Sequence, residues 1–396
     1  MKSNSIKLFP PLLKIVSDII LEIDQTKRPI DKSLQPVLKN KQLGSRDRRF
    51  IIEQTYDIIR NKRFINRILE CWNLPNDTPH QILVNLLRNG VTIINPELIS
   101  PGFQFTKQDL EKIDVTVAEL NSFPDWMEAQ GQKEYGADWP TIAQSLNEPA
   151  MIYLRPNTLL ISLEKLQNKL KSEGIATEKK EKSLCLINRE NLKNHPLYLK
   201  GYFEIQDWAS QQVALNANIH EGQLVVDACA GAGGKSLHLA ALLQKTGRII
   251  ASDFNAHRLK QLQYRMKRAQ AHDIEILAYD QLKQFKGKVD RLILDVPCSA
   301  TGTIRRKPEI KWNVTEKIFK SYITAQQEIL IQQAVLVAPE GLLIYATCSI
   351  FKAESEDQIQ WFLSQNSNFE LMEEHRFLPH LNQCDGFYIG ILKRTE

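Results

Sequence analysis

The chain lacks any apolar run near the roughly 18 residues that a membrane-spanning helix needs. It also lacks CxxC pairs. Its six cysteines are scattered over 396 residues, too thinly for a disulfide scaffold and at the wrong spacing for structural zinc. No metal site is expected, the thiols are expected to be reduced, and the expected compartment is the cytoplasm. A secretory leader is not expected either, because Pro10 and Pro11 interrupt the first apolar stretch and Asp18 lies in its continuation. There is no tandem repeat and no low-complexity tract. The remaining composition, 43% hydrophobic and 24% charged, is that of a globular protein long enough for two or three domains.

The net charge of +5 is unevenly spread. The first seventy residues hold 15 Lys and Arg against 8 Asp and Glu, so the rest of the chain is slightly acidic. A basic N-terminus suits a polyanion-binding module, and equally a solvated basic face. Leu12, Val16, Ile19, Ile20 and Ile23 recur at helical spacing, as do Ile52, Tyr56 and Ile59. Ser45 is the expected N-cap of the second helix, which begins with Arg46-Asp-Arg-Arg49. Leu83 to Ile94 adds another apolar run, and residues 1–120 read as a helical bundle.

From about residue 121 the texture changes. Met151–Arg155, Leu184–Ile187 and Tyr202–Ile205 read as strands, with a helix between Ser162 and Gly174 and a charged turn at Lys179–Lys182. This gives a small α/β domain over 121–200. In residues 201–396, short apolar runs at Leu224–Asp227, Arg248–Ser252, Ile274–Ala278, Leu292–Asp295 and Leu342–Tyr345 alternate with helical stretches. Such alternation predicts an α/β fold, a parallel sheet covered on both faces, with ligands beyond the carboxyl ends of its strands.

Asp227-Ala-Cys-Ala-Gly231-Ala-Gly233-Gly234-Lys235-Ser236 follows the first strand. A P-loop would need glycine where Cys229 stands, and a dinucleotide fingerprint would need its third glycine at Ser236. An acid ahead of Gly-x-Gly suits S-adenosylmethionine, which has a cationic head and no phosphate. Asp253 after the second strand could accept from ribose hydroxyls, and Asp280 after the third from an adenine amino group. Together these favour a methyltransferase.

The fourth and fifth strands end in Asp295-Val-Pro-Cys298-Ser and Thr347-Cys348-Ser. A lone cysteine is usually a small buried hydrophobe, the reading given to Cys71, Cys185 and Cys384, while Cys229 is read as packing in the loop. Two thiols beside a methyl donor suit carbon 5 of cytosine, a poor nucleophile until a thiolate adds at carbon 6. The charge then developing at ring nitrogen 3 calls for an acid, and Asp295 has that chemistry, either protonated or acting on a protonated base. Spacing alone does not rank the two cysteines.

These two cysteine motifs, with Gln206-Asp-Trp-Ala-Ser-Gln and Asp385-Gly-Phe-Tyr, resemble the Sun (Fmu, RsmB-like) family of RNA cytosine-5 methyltransferases. The resemblance implies a class I Rossmann-like catalytic domain. It implies S-adenosylmethionine bound by Cys229, Ala230, Gly231, Ala232, Gly233, Gly234 and Lys235 with Asp253, Asp280 and Asp295. It further implies that Cys348 attacks and Cys298 assists release, the reverse of DNA cytosine-5 enzymes. Gly231-Ala232 stands where the family has Ala-Pro, and Glu354-Ser-Glu356 where it has Glu-Asn-Glu. The segment Arg46–Phe50 is similar to a NusB-like RNA-binding module, and Pro124–Met127 with Leu154–Asn157 to a linking domain, which points to 16S ribosomal RNA or an assembling small subunit. A monomer is expected. Arg305, Arg306, Lys307 and Lys311 are expected to face the RNA backbone, and the target cytosine to be unstacked. A non-catalytic RNA-binding or ribosome-assembly factor on this fold would have lost an acid or a catalytic cysteine, and none is lost.

Overall fold

The computed structural model describes residues 5–244 and 246–396. Three amphipathic helices, Pro10–Thr26 (α1), Ser45–Arg60 (α2) and Lys62–Cys71 (α3), bury one stripe each, and Thr78–Arg88 (α4) is buried all round from His80 to Leu87. Val16, Ile20 and Ile23 of α1 meet Ile51 and Ile58 of α2 and Ile65 and Ile68 of α3 in one apolar cluster. Helix α2 starts one residue earlier than expected in its cap: Gly44 is the N-cap, its N–H donating to Asp47 Oδ2 at 3.1 Å, and Ser45 is already helical. Helical structure continues through Val117–Asn121, Asp125–Tyr135 and Trp139–Ser145.

One compact unit runs to Glu148 and also takes in Ile304–Glu316, a segment from far along the chain. Lys311 explains why that segment belongs there. It is fully buried and donates to the carbonyls of Arg60 (3.1 Å) and Asn121 (2.9 Å) and to Asn147 Oδ1 (2.6 Å). Arg60 and Asn121 are the last residues of their helices, whose final carbonyls have no partner within the helix and carry the negative dipole end. Trp312 Nε1 donates to the Ile59 carbonyl at 2.7 Å, and the Arg60 guanidinium to the Arg305 carbonyl at 3.0 Å. The expectation that Arg305 and Lys311 face RNA is therefore corrected. Both are buried, Arg306 is half-buried, and Lys307 is exposed. A run of cations in sequence does not reveal that helix ends elsewhere supply the acceptors.

The second unit comprises Pro149–Thr303 and Lys317–Glu396. Its main sheet contains Leu224–Asp227 (β1), Arg248–Ala251 (β2), Ile274–Ile276 (β3), Val289–Asp295 (β4), Val337–Thr347 (β5), Phe369–Phe377 (β6) and Phe387–Arg394 (β7), in the order β6-β7-β5-β4-β1-β2-β3. Strands β1 to β5 are parallel, and β6 and β7 pair antiparallel beyond β5. Helices Gly234–Leu243 (α5), Ala256–Ala269 (α6), Glu316–Ala334 (α7) and Glu356–Gln365 (α8) connect them in the alternating manner of a Rossmann-like fold. The strand order reverses between β1 and β4, the switch point at which sheets of this kind bind ligands.

A second, antiparallel sheet in this unit pairs Thr177–Lys180, Ser183–Leu186, Tyr153–Pro156 and Phe203–Ile205 in that order. Lys179 and Lys180 lie in a strand rather than in a turn, which falls at Glu181 in the left-handed region. Ser162 caps the helix Leu163–Ser172 as expected. Buried Glu204 on the last strand holds Arg265 (2.8 Å) and Arg268 of α6, and Asn157 donates to the Ala269 carbonyl at 2.8 Å.

Candidate active site

Strand β1 delivers Asp227 into full burial. One carboxylate oxygen accepts from Ser236 Oγ at 2.6 Å, and the other has no hydrogen-bond partner among the described residues. Burial pushes this carboxyl up to about 7, helped by Asp295 and Asp253 and opposed by Ser236 and Lys235. The loop after it turns on Gly231 (φ 56°) and Gly233 (φ 83°). A Cβ on Gly233 would come within 2.1 Å of Leu262 Cδ1 of α6, so only glycine lets this helix pack there. The Gly231 N–H donates to Asp253 Oδ2 at 2.8 Å, the Ala230 N–H to the Ser252 carbonyl, and the Ala232 carbonyl accepts from Arg265. Gly234 begins α5. Cys229 packs against the core, where burial pushes its thiol well up.

Lys235 decides between readings of this loop. Its ammonium lies 2.5 Å from Asp295 Oδ2 at the end of β4, 3.2 Å from Ser210 Oγ, and over the Phe387 ring. Burial pushes its amine down, and Asp295 more than reverses this, leaving it raised. With Lys235 held by Asp295 and Ser236 by Asp227, the Gly-Lys-Ser triplet offers neither side chain to a phosphate. The donors and acceptors present suit S-adenosylmethionine instead: an unpartnered buried carboxylate oxygen, the Asp253 carboxylate, and the N-terminal amides of α5.

Beyond β4 and β5 the two thiols meet, Cys298 Sγ lying 3.4 Å from Cys348 Sγ. Contact with Cys348, burial and the nearby charge of Glu354 push the Cys298 thiol well above its ordinary value. A Cys348 thiolate falls within electrostatic range of the Lys235 ammonium. The geometry thus gathers Gly231, Lys235, Asp253, Asp295, Cys298 and Cys348 around the strand ends where the sequence put them. Asp280 is exposed on the 3-10 turn after β3. Cys185 and Cys384 are buried as expected, but Cys71 is exposed at the end of α3, which corrects its reading as a core residue.

Several contributors went unrecognised in the sequence. Phe254 follows Asp253 and is 88% exposed, with its ring edge-on to Tyr279, which precedes Asp280. An aromatic beside each of two strand-end acids was the available signal. Ser210 and Phe387 reach Lys235 from the two segments that carried only the resemblance. Asp207 accepts from the Asp385 N–H at 3.2 Å, joining those segments. Glu354 lies wholly buried beneath the thiol loops.

The family description "16S rRNA methyltransferase RsmB/F" matches residues 214–393, and a ferredoxin-like domain of RsmF/B-like methyltransferases matches residues 123–190. The chain is 33% identical over 299 residues to ribosomal RNA small subunit methyltransferase B of Shewanella oneidensis, covering 69% of this chain and 67% of that protein. With the Pasteurella multocida protein of the same name it shares 32% identity, covering 69% of this chain and 65% of the relative. A probable methyltransferase B of Synechocystis is 26% identical, over 95% of this chain and 98% of its own. Among solved structures, PH0851 superposes with a TM-score of 0.79 at 24% identity, covering 98% of this chain and all of the other. A methyltransferase homolog protein of Pyrococcus horikoshii gives 0.63 at 23% identity, covering 70% and 97%.

Proposed function

Because the chain belongs to the RsmB/F family of ribosomal RNA small subunit methyltransferases and uses S-adenosylmethionine, we propose that it methylates carbon 5 of a cytosine in 16S ribosomal RNA through a covalent Cys348 adduct. The observation that carries this reading is the pair of thiols 3.4 Å apart at the ends of β4 and β5, next to the Lys235–Asp295 ion pair. N-methylation and O-methylation have no need of a second thiol there.

In this reading Cys348 attacks carbon 6 as a thiolate, forming the carbon–sulfur bond. Asp295, ion-paired with Lys235, accepts a hydrogen bond from a ring protonated at nitrogen 3, whose positive charge the addition of the Cys348 thiolate cancels. S-adenosylmethionine, when bound, supplies an electrophilic methyl group. Cys298, whose thiol Cys348, burial and Glu354 push well up, must first give its own proton to water, and as a strongly basic thiolate it then takes the carbon 5 proton. RNA engagement falls to the basic N-terminal helices, taken as a NusB-like module over 1–120. The segment 121–200 links, and 201–396 carries catalysis, in a monomer working in the cytoplasm.

The test is direct. The full chain is incubated with 16S ribosomal RNA and labelled S-adenosylmethionine, then run on denaturing gels. Cys298→Ala is expected to accumulate a protein–RNA adduct, and Cys348→Ala to lose both adduct and methyl transfer. A Cys348→Ala protein with full activity overturns the mechanism. Bisulfite sequencing of ribosomal RNA from a deletion strain identifies the cytosine.

A further inference from the structure

Glu354 is not among the groups that meet substrate or cofactor in the reading above, yet it is completely buried in the first turn after the Thr-Cys-Ser loop. Its Oε1 accepts from the Ser299 N–H at 2.7 Å and from Gln326 Nε2 of α7 at 3.1 Å, and its Oε2 accepts from Ser299 Oγ. Gln326 also donates to the Pro297 carbonyl at 3.0 Å. The carboxylate therefore grips the Pro-Cys-Ser loop on both sides of Cys298.

The grip extends to the other thiol through hydroxyls. Ser299 Oγ lies 3.2 Å from Thr301 Oγ1 and 3.5 Å from Ser349 Oγ, and Thr301 and Ser349 are 3.1 Å apart. Thr301 Oγ1 accepts from the Ile350 N–H and Ser349 Oγ from the Phe351 N–H. The Gly302 N–H donates to the Cys348 carbonyl at 2.9 Å. Between these anchors Ala300 takes φ 57°, a left-handed conformation that a non-glycine residue keeps only when its surroundings impose it. Burial raises the Glu354 carboxyl against the lowering by Ser299, Ser349 and Gln326. A buried carboxylate with this many donors aimed at it is a fixed post, and its charge bears on Cys298.

We propose that Glu354 is the positioning residue for adduct release, holding Cys298 where it can reach the carbon 5 proton of a base bound to Cys348. The inference rests on the two-thiol reading. In the step it serves, Cys298 first releases its own proton to water, which is easier once Cys348 is tied up in the adduct and no longer carries charge beside it, and the resulting thiolate takes the proton from carbon 5. The electron pair of that bond becomes the carbon 5–carbon 6 double bond, the carbon 6–sulfur bond breaks, and Cys348 leaves as thiolate. Loss of Glu354 removes the direct contacts to the Pro-Cys-Ser loop, whereas the Thr-Cys-Ser loop keeps its own bonds from the Ile350 N–H to Thr301 and from the Phe351 N–H to Ser349, so the releasing thiol is the one set free and the block falls after methyl transfer.

The experiment compares wild type, Glu354→Ala, Glu354→Gln and Cys298→Ala in the full chain with transcribed 16S ribosomal RNA. It reads the adduct fraction, the turnover rate, and S-adenosylmethionine affinity by calorimetry. Glu354→Ala is expected to enrich the adduct as Cys298→Ala does and to cut turnover about 100-fold, the scale of one lost proton-transfer group. Its cofactor affinity should stay within about threefold of wild type. Glu354→Gln keeps an acceptor for Ser299 and should recover part of the turnover. Adduct in Cys298→Ala but none in Glu354→Ala overturns the inference alone, whereas no adduct in Cys298→Ala overturns the two-thiol reading and this inference with it. If Glu354→Ala does not fold, Ser299→Ala and Glu354→Gln carry the test: enrichment in either supports the inference, and wild-type release in both overturns it.

Discussion

Asp227, with one oxygen bonded to Ser236 and the other without a partner among the described residues, makes the cofactor-free fold sensitive to pH. Its folded value of about 7 lies above the ordinary 3.8, so the folded state holds a proton that the unfolded chain releases. The resulting stability is present in full below about pH 4 and is lost as the pH rises through 7, amounting to at most about 4 kcal/mol. Denaturant titrations of Asp227→Asn at pH 5 and pH 8 should show a smaller loss than wild type across that window. An identical loss in both proteins would remove Asp227 as the cause. The same carboxyl explains why a cationic ligand suits the site: a positive charge favours the ionised form that burial opposes.

At the scale of elements, α5 and α6 can pack only because Gly233 has no side chain. Gly233→Ala combines a left-handed backbone with a 2.1 Å approach to Leu262. It should cost about 2–4 kcal/mol and weaken S-adenosylmethionine binding, read by thermal melts with and without the cofactor. The first five strands were legible because each carries an apolar run with Asp or Cys at its end or within four residues after it. These ends are where the chemistry sits, so most of the candidate site came with them. Strand β6 was not legible, since it is an edge strand bearing Glu370, Glu373, Glu374 and His375, charged as unpaired edges commonly are. Glu354 was hidden for a different reason: its role depends on Ser299 and Gln326, which only the folded loops bring to it. The aromatic pair Phe254 and Tyr279 needed the spatial closeness of two strand ends.

At the scale of the whole molecule, the segment Ile304–Glu316 begins six residues after Cys298 and belongs to the helical unit. Lys311 is its anchor. Burial together with Arg60 and Arg88 pushes its amine well down, while three acceptors within hydrogen-bond reach hold it. Lys311→Met leaves those acceptors without their donor and should cost about 3 kcal/mol, more than the few tenths typical of a surface lysine. A melting temperature within a degree of wild type would show that the anchor is dispensable. Because the helical unit is closed by a segment encoded more than 150 residues after its last helix, a nascent chain cannot finish it when that helix leaves the ribosome. The bundle must wait, incomplete, until strand β4 and Cys298 have been synthesised, so the earliest part of the protein to be made is among the last to be completed.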